Sequence, residues 1–420
     1  MPRCTVRWLG VGVLASACAV LLDAASTLNA ASAFGDDTAL IIGHAFLPTP
    51  DESYVTQVMD TYIDPSPAFF SGQPVYPIDN AIGVTTPETD YGSGLTQGVA
   101  DLDQAITQQL GEGNHVVVFG YSMSTSIETQ EMINLAALAA DQQPNPDDLS
   151  FILAEDVNNP DGGIFERFPG IGGVTLPATP ADSPYTTDIY TIEYSGASDF
   201  PQYPSNFVAD LNAADGYIEL HPYLLPGWPA YFTPAELAGA VQDPHMSSAD
   251  VATEYFTIPT QDLPLLDGLR GAPGAESAYV DLIQPDMRVL VDLGYNWTGD
   301  ADVATPATWT SPDIDTTAVD SYLAAGADQG VIAALVDLGI LPQADLSDLY
   351  PYVPDVAGLQ LGALTSDAAA AADASASASA LATDLANSSN PLAADLSAYL
   401  PGLATELGDF FQNAVNFLSI

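Results

Sequence analysis

The stretch His115-Val-Val-Val-Phe-Gly-Tyr-Ser-Met-Ser124 joins a short apolar run to a tight turn. Four consecutive apolar residues followed by glycine are typical of a buried strand in a parallel sheet. Gly120 and Ser124 are small residues two places before and two places after Ser122, and they leave room for a sharp strand-to-helix turn. Hydrolases of α/β type hold a nucleophilic serine on such a turn, usually written G-x-S-x-G, and here serine takes the last place. The stretch therefore predicts a nucleophile elbow with Ser122 at its tip.

Strand-like and helix-like segments alternate on both sides of this elbow. The apolar run at 39–42 is predicted to be another strand, and further strands are predicted at 150–153 and 188–194. Before the elbow, apolar residues recur at helical spacing: Leu95, Val99, Leu102, Ile106 and Leu110. This alternation predicts an α/β fold with a doubly wound, mostly parallel sheet, of the α/β-hydrolase type.

The first 33 residues have the pattern of a secretory signal peptide. Arg3 and Arg7 precede an apolar run from Trp8 to Leu22, and Ala31-Ser-Ala33 supplies small residues for cleavage. We therefore expect a secreted or cell-envelope protein, with an uncleaved N-terminal anchor as the alternative. Both cysteines of the chain lie in this segment, so we expect no disulfides, thiolate metal sites or cysteine nucleophile after it.

The charge is strongly one-sided. The chain has 5 basic and 55 acidic residues, for a net charge of −50, and it has no lysine. Such a surface repels phosphate backbones and anionic headgroups, so nucleic-acid binding is excluded as a function.

The chain is predicted to divide after the signal into a hydrolase domain at 34–296 and an Ala/Asp/Ser-rich helical extension at 297–420. Residues 363–386 have low complexity, and a leucine stripe at helical spacing follows between Leu392 and Leu407. The extension is interpreted either as a helix pair that packs on the body or as a docking segment for the envelope or a partner.

A nucleophilic serine needs a histidine base and an acid that orients it. His221 is the predicted base, with His245 as the alternative; His115 precedes the elbow strand and would lie at the opposite edge of the sheet. The predicted acid is Asp199, which follows the strand at 188–194 and precedes His221, with Asp156 as the main competitor.

An oxyanion hole requires backbone N–H groups. The amide of Met123, which follows the nucleophile, is one candidate. The second is expected from the loop after the first strand, 43–48, with His44 as the candidate residue.

Several further stretches, taken with the elbow, resemble the PE-PPE domain, a cutinase-like serine hydrolase module of mycobacterial exported proteins. The matching stretches span about 39–296 and lie at 43–50, 116–124, 159–168, 198–204, 211–212 with His221, 255–266 and 284–295. The resemblance implies Ser122 as nucleophile, Asp199 as acid and His221 as base, in an α/β-hydrolase fold with no metal or cofactor. One departure is the first loop, which reads Gly43-His-Ala-Phe46 where that family usually has Gly-Gly-Thr-Gly.

The resemblance implies esterase activity on acyl chains, and some members build trehalose glycolipids as acyltransferases. We therefore expect an exported serine esterase acting on an acyl ester or glycolipid. The first alternative is a glycolipid acyltransferase that uses the same residues, and the second is a non-catalytic envelope protein that binds lipid or a partner. The apolar stretch from Tyr223 to Phe232 is interpreted as a cap beside the acyl site or as core.

Overall fold

The computed structural model of the protein describes residues 37–63, 78–224, 240–248, 252–260, 262–270, 275–310 and 314–342. The predicted signal at 1–33, the low-complexity stretch and the leucine stripe all lie outside these residues. The proposed division into domains therefore stays a prediction.

A seven-stranded sheet forms the centre of the fold, in the strand order β2-β1-β3-β4-β5-β7-β6. The strands are β1 (Asp37–Ile42), β2 (Ile78–Val84), β3 (Val116–Tyr121), β4 (Leu149–Ala154), β5 (Thr186–Ile192), β6 (Val241–Gln242) and β7 (Thr253–Ile258). All neighbouring pairs are parallel except β6 and β7, which are antiparallel. The mostly parallel α/β sheet predicted from the sequence is confirmed.

Helices cover both faces of this sheet. They are α1 (Glu52–Val58), α2 (Ser93–Gly111), α3 (Met123–Ala136), α4 (Ile164–Arg167), α5 (Phe207–Glu219), α6 (Pro264–Arg270), α7 (Ala275–Asp292) and α8 (Thr316–Asp337). Alternate residues of β3 supply the two cores: Val118 packs with the apolar face of α2, whereas Phe119 packs with residues of α1, α5 and α7. The fold is therefore doubly wound.

The position of β1 between β2 and β3 creates a switch point in the winding of the chain. In open α/β sheets, ligands bind at the carboxyl ends of the strands beside such a point. The loop at 43–48 follows β1 and the predicted elbow follows β3, so both lie at this crevice.

Backbone strain gathers at the same edge of the sheet. A positive φ places an L-residue in the left-handed region, at a cost of about 1–2 kcal/mol. In the described part of the chain, the non-glycine residues in that region are Phe46, Glu88, Ser122, Glu155 and Tyr194. Each follows one of the strands β1 to β5. The strained backbone conformations therefore lie in the loops that form the crevice.

The chain beyond 296 begins by packing on the sheet domain. Backbone N–H groups of Thr305 and Thr308 donate to the carbonyls of Pro160 and Gln202, at 3.0 and 2.9 Å. α8 then packs on α7, where Gly330 allows close approach because a Cβ there would clash with the Leu282 carbonyl. Within the described ranges, no helix is both long and apolar enough to cross a membrane.

Candidate active site

Ser122 occupies the turn between β3 and α3, with φ 59° and ψ −115°. Its backbone N–H donates to the Ala154 carbonyl at 3.1 Å, which ties the turn to the end of β4. The Ser124 hydroxyl accepts from the Tyr121 N–H at 2.8 Å and closes the turn from the other side. Glycine suits position 120, because a Cβ there would clash with the buried carboxyl group of Glu128. The chain thus forms the strained strand-to-helix turn that the sequence predicts.

His221 lies beside this serine, at the end of α5. Its Nε2 is 2.8 Å from the Ser122 hydroxyl oxygen. The imidazole lies between two tyrosine rings, with centroids 5.3 Å from Tyr121 and 5.2 Å from Tyr217. The Tyr121 hydroxyl also donates to the His221 backbone carbonyl. These contacts fix both the plane of the imidazole and the position of its backbone.

The other ring nitrogen of His221 contacts a glutamate that sequence reasoning missed. Nδ1 is 2.8 Å from Oε2 of Glu155, which follows β4 directly. Because a carboxylate only accepts, Nδ1 carries the hydrogen and Nε2 is left to accept from Ser122. The described contacts therefore form one chain, in which Ser122 donates to His221 and His221 donates to Glu155.

Glu155 is 1% exposed and accepts hydrogen bonds from four groups. These are Nδ1 of His221 at 2.8 Å, the Ile192 N–H at 2.7 Å, the Ser198 hydroxyl at 2.8 Å and the Ser195 hydroxyl. Burial of a carboxylate is costly unless such donors replace water. The end of β5 and the loop after it supply three of these donors, Ile192, Ser195 and Ser198, and they thereby orient the carboxylate toward the imidazole.

The prediction that Asp199 is the acid partner of His221 is corrected by this geometry. The carboxylate of Asp199 accepts from the Tyr194 backbone N–H at 2.8 Å, and the Asp199 N–H donates to the Ser195 carbonyl at 2.8 Å. The loop after β5 folds back on itself. Its serine hydroxyl groups therefore face Glu155, whereas the side chain of Asp199 bonds a backbone N–H of the same loop. Burial raises the pKa of Asp199 to about 8.

Asp156, the competitor considered from the sequence, also points away from the imidazole. It accepts from the Thr179 hydroxyl at 2.6 Å and from the Asn158 N–H at 2.9 Å. A signal for Glu155 was present in the sequence, because it lies two residues after the run at 150–153, which belongs to a strand that pairs with the elbow strand. An acid at the end of that neighbouring strand is as plausible from the sequence as one after 188–194.

The remaining described histidines contact other groups. His115 lies at the amino end of β3, where its Nδ1 is 2.8 Å from Asp37, so the sequence was right to set it aside. Nδ1 of His245 lies 3.4 Å from Asp243, and its side chain is 43% exposed.

Two backbone groups were predicted to bind an oxyanion. Met123 is the first residue of α3, where a backbone N–H has no acceptor within the helix. His44 lies in the loop after β1, with its ring 6.0 Å from that of Tyr121. Burial is the largest cause that lowers the pKa of His44, and the nearby charge of His221 adds to it. Both residues lie at the same edge as Ser122, and their oxyanion role stays a prediction.

A cavity of about 370 Å³ opens beside Ser122. Its lining comes from helices α4 and α5 and from the loops after β2, β4, α4 and β5: Tyr91, Val157, Ile164, Phe165, Ile171, Gly172, Val174, Ala197 and Tyr217. No charged side chain is among these residues. Residues 225–232 of the stretch interpreted as a cap lie outside the described part of the chain.

The sequence profile of the PE-PPE domain matches residues 47–296. Esterase PE16 of Mycobacterium tuberculosis is 40% identical over 358 residues, which cover 84% of this chain and 65% of that protein. SL1278 acyltransferase Chp1 of the same organism is 32% identical over 218 residues, covering 51% of this chain and 50% of that protein.

The chain thus spans two thirds or less of the length of these two relatives. A cutinase-like protein from Cryptococcus sp. aligns with 40% of this chain and 81% of its own, at 14% identity and a TM-score of 0.26. Because the profile match covers more than half of the sequence, the chain belongs to the PE-PPE domain family.

Proposed function

We propose that this protein is a serine hydrolase that cleaves or transfers acyl esters through an acyl-Ser122 intermediate. The observation that carries the proposal is the chain of contacts from Ser122 through His221 to Glu155, with both links at 2.8 Å. A serine hydroxyl becomes nucleophilic when a positioned base removes its proton, and a buried acid holds that base in the required tautomer.

In the first half of the reaction, the Ser122 oxygen attacks the ester carbonyl while its proton passes to Nε2 of His221. The imidazolium that forms is stabilised by Glu155 through the Nδ1–H bond. His221 then gives the same proton to the departing alcohol, and the acyl group remains on Ser122.

In the second half, water or another alcohol loses a proton to Nε2 and attacks the acyl-enzyme. The proton returns to Ser122 as the product leaves. Water yields a free acid, whereas a sugar hydroxyl yields a new ester. Hydrolysis and acyl transfer therefore differ only in the acceptor.

We further propose that the N–H groups of Met123 and His44 stabilise the negative charge on the carbonyl oxygen. The first lies at the N-terminus of α3, where backbone donors and the helix dipole both favour an anion.

The relatives support both versions of this chemistry. One is an esterase and the other is an acyltransferase by name, so hydrolysis is our first proposal and acyl transfer to a glycolipid is the second. The signal-like pattern at 1–33 supports the proposal that the reaction takes place outside the cytoplasm, in the envelope or the medium.

The test is labelling with a fluorophosphonate probe together with turnover of p-nitrophenyl esters. We expect wild type to label and Ser122→Ala to lose both labelling and turnover. Ser321→Ala is the matched control, because its hydroxyl bonds the Thr317 carbonyl of its own helix. If Ser122→Ala still labels and turns over esters, the proposal is wrong.

A folded wild-type protein that neither labels nor turns over esters would favour the non-catalytic alternative, an envelope protein that binds lipid or a partner. Product analysis with and without a trehalose glycolipid acceptor separates hydrolase from acyltransferase.

A further inference from the structure

The apolar cavity beside Ser122 has the chemistry of a hydrocarbon site. A sugar or another polar alcohol needs hydrogen-bonding partners once it is removed from water. The side chains that line this cavity are aliphatic or aromatic, apart from the Ser122 hydroxyl and the hydroxyls of Tyr91 and Tyr217. An acyl chain therefore fits this space better than the alcohol part of an ester.

The inner wall of the cavity is fixed by packing and by backbone hydrogen bonds. Val157, Phe165 and Ala197 are buried together in one cluster. The Phe165 N–H donates to the Val157 carbonyl at 3.2 Å, and the Ile164 N–H donates to the Ala197 carbonyl at 2.9 Å. The ring of Tyr91 packs against Phe165 edge-to-face, with centroids 4.7 Å apart. This wall is set by the same loops that carry Glu155 and its donors.

The outer wall is built differently, by the turn Gly170–Gly173. Gly170, Gly172 and Gly173 have φ values of 90°, 61° and 80°, which only glycine adopts at little cost. A Cβ added at Gly172 or Gly173 would have no neighbour within 4 Å. The one large side chain of the turn is that of Ile171, which lines the cavity and is 43% exposed. This wall is thus loosely packed, and one side chain provides most of its apolar surface.

The volume sets the scale of the chain that fits. A methylene group is close in size to a water molecule, whose share of volume is about 30 Å³. The cavity of about 370 Å³ then holds roughly twelve such groups.

We infer that the cavity binds the acyl chain of the ester, and that Ile171 on its glycine turn determines how long a chain is accepted. The inference rests on the proposed function, since it places the chain beside an acylated Ser122. It assigns to Ile171 a contact with the acyl chain of the substrate.

The experiment measures kcat/KM for p-nitrophenyl esters from two to sixteen carbons in wild type, Ile171→Trp and Ile171→Ala. A tryptophan should fill the space of about two methylenes, each worth about fourfold in binding. We expect Ile171→Trp to lower kcat/KM about tenfold for esters of twelve carbons or more and to leave acetate esters unchanged. Ile171→Ala should move the optimum toward longer chains.

Leu138→Ala is the control, because Leu138 is exposed and follows the far end of α3, about 20 Å along the helix from Ser122. It should leave the chain-length profile unchanged. The inference is overturned if each Ile171 variant changes kcat/KM by the same factor for all chain lengths. It is also overturned if Leu138→Ala shifts the chain-length profile as much as the Ile171 variants do.

A binding measurement separates this inference from the proposed function. Ser122→Ala keeps the apolar side chains of the cavity, so it should bind a non-hydrolysable dodecyl ether in calorimetry, and Ser122→Ala/Ile171→Trp should bind it at least tenfold more weakly. If wild type does not turn over esters but the ether binds and its binding depends on Ile171, the catalytic proposal alone is refuted. Turnover without Ile171-dependent binding would refute the acyl-chain site alone.

Discussion

Two buried glutamates flank the turn that carries Ser122, and they differ in what surrounds their carboxyl groups. Glu155, after β4, accepts four hydrogen bonds, including one from His221. Glu128, on α3, is fully buried against Gly120, and neither of its carboxyl oxygens has a hydrogen-bond partner within the described residues.

The difference shows that burial beside Ser122 is not enough to bring a carboxyl group into contact with His221. Burial, together with the charges of Asp156 and Glu88, raises the pKa of Glu128 well above its usual value. This shift favours the protonated form of Glu128, which fills space behind the elbow as a neutral acid. Glu155 has the donors that a charged partner of an imidazolium requires.

The largest expected effect comes from Glu155→Gln. The amide has nearly the same shape, but its NH₂ group can donate to Nδ1 of His221 and so favour the tautomer that cannot accept from Ser122. We expect kcat to fall about 10,000-fold, with KM little changed, as for other triads that lose the acid. Circular dichroism should show an intact fold, and retention of a tenth of wild-type activity would remove Glu155 from the proposed mechanism.

An intermediate effect, on stability rather than on activity, is expected from Glu128→Gln. A carboxyl group whose pKa is raised on folding contributes its full stability below its unfolded pKa, near 4.5. That contribution falls by up to about 1.4 kcal/mol per pH unit as the pH rises toward the folded pKa. Glutamine does not titrate, so the stability of Glu128→Gln relative to wild type should increase between pH 5 and 7.

Urea denaturation at several pH values measures this difference. Glu112→Gln is the control, because Glu112 is exposed at the end of α2. Curves for wild type and Glu128→Gln that stay parallel across this range would contradict the neutral acid. We also expect Glu128→Gln to retain kcat within about threefold.

The smallest expected effect is that of Asp199→Asn. Burial raises the pKa of Asp199 to about 8, so the native group is mostly protonated at pH 7 and the amide resembles it. The new side-chain oxygen can still accept from the Tyr194 N–H. We expect kcat/KM within about threefold of wild type in the ester assay. A loss as large as that of Glu155→Gln would return the acid role to Asp199.

The local pattern of apolar residues was sufficient to predict the strand and the helix that precede the elbow. The apolar run at 116–119 and the periodic apolar residues between Leu95 and Leu110 show which side chains of each segment are buried. These segments form β3 and α2, as predicted. The sequence-based strands did not include β2, whose residues Ile78–Val84 contain Asp, Asn and Gly and lack a continuous apolar run. Its pairing with β1 is a tertiary effect.

The contact between Ser122 and His221 was predictable because the sequence has one elbow pattern and four histidines. The acid was not, because 55 acidic residues leave many choices and the direction of a side chain depends on the loop that holds it. Asp199 and Glu155 both follow strands at the same edge. Only the folding of the loop after β5 decides that Ser195 and Ser198 face Glu155 while Asp199 bonds Tyr194.

The two contacts of His221 also constrain how the molecule assembles. The imidazole meets partners 99 and 66 residues earlier in the chain, across parallel strands that pair only through crossovers. Closing such distant contacts is slow compared with forming helices. During refolding, enzymatic activity should thus recover more slowly than the helical signal in circular dichroism. Enzyme assays would then report when the segment that carries His221 has packed beside Ser122 and Glu155.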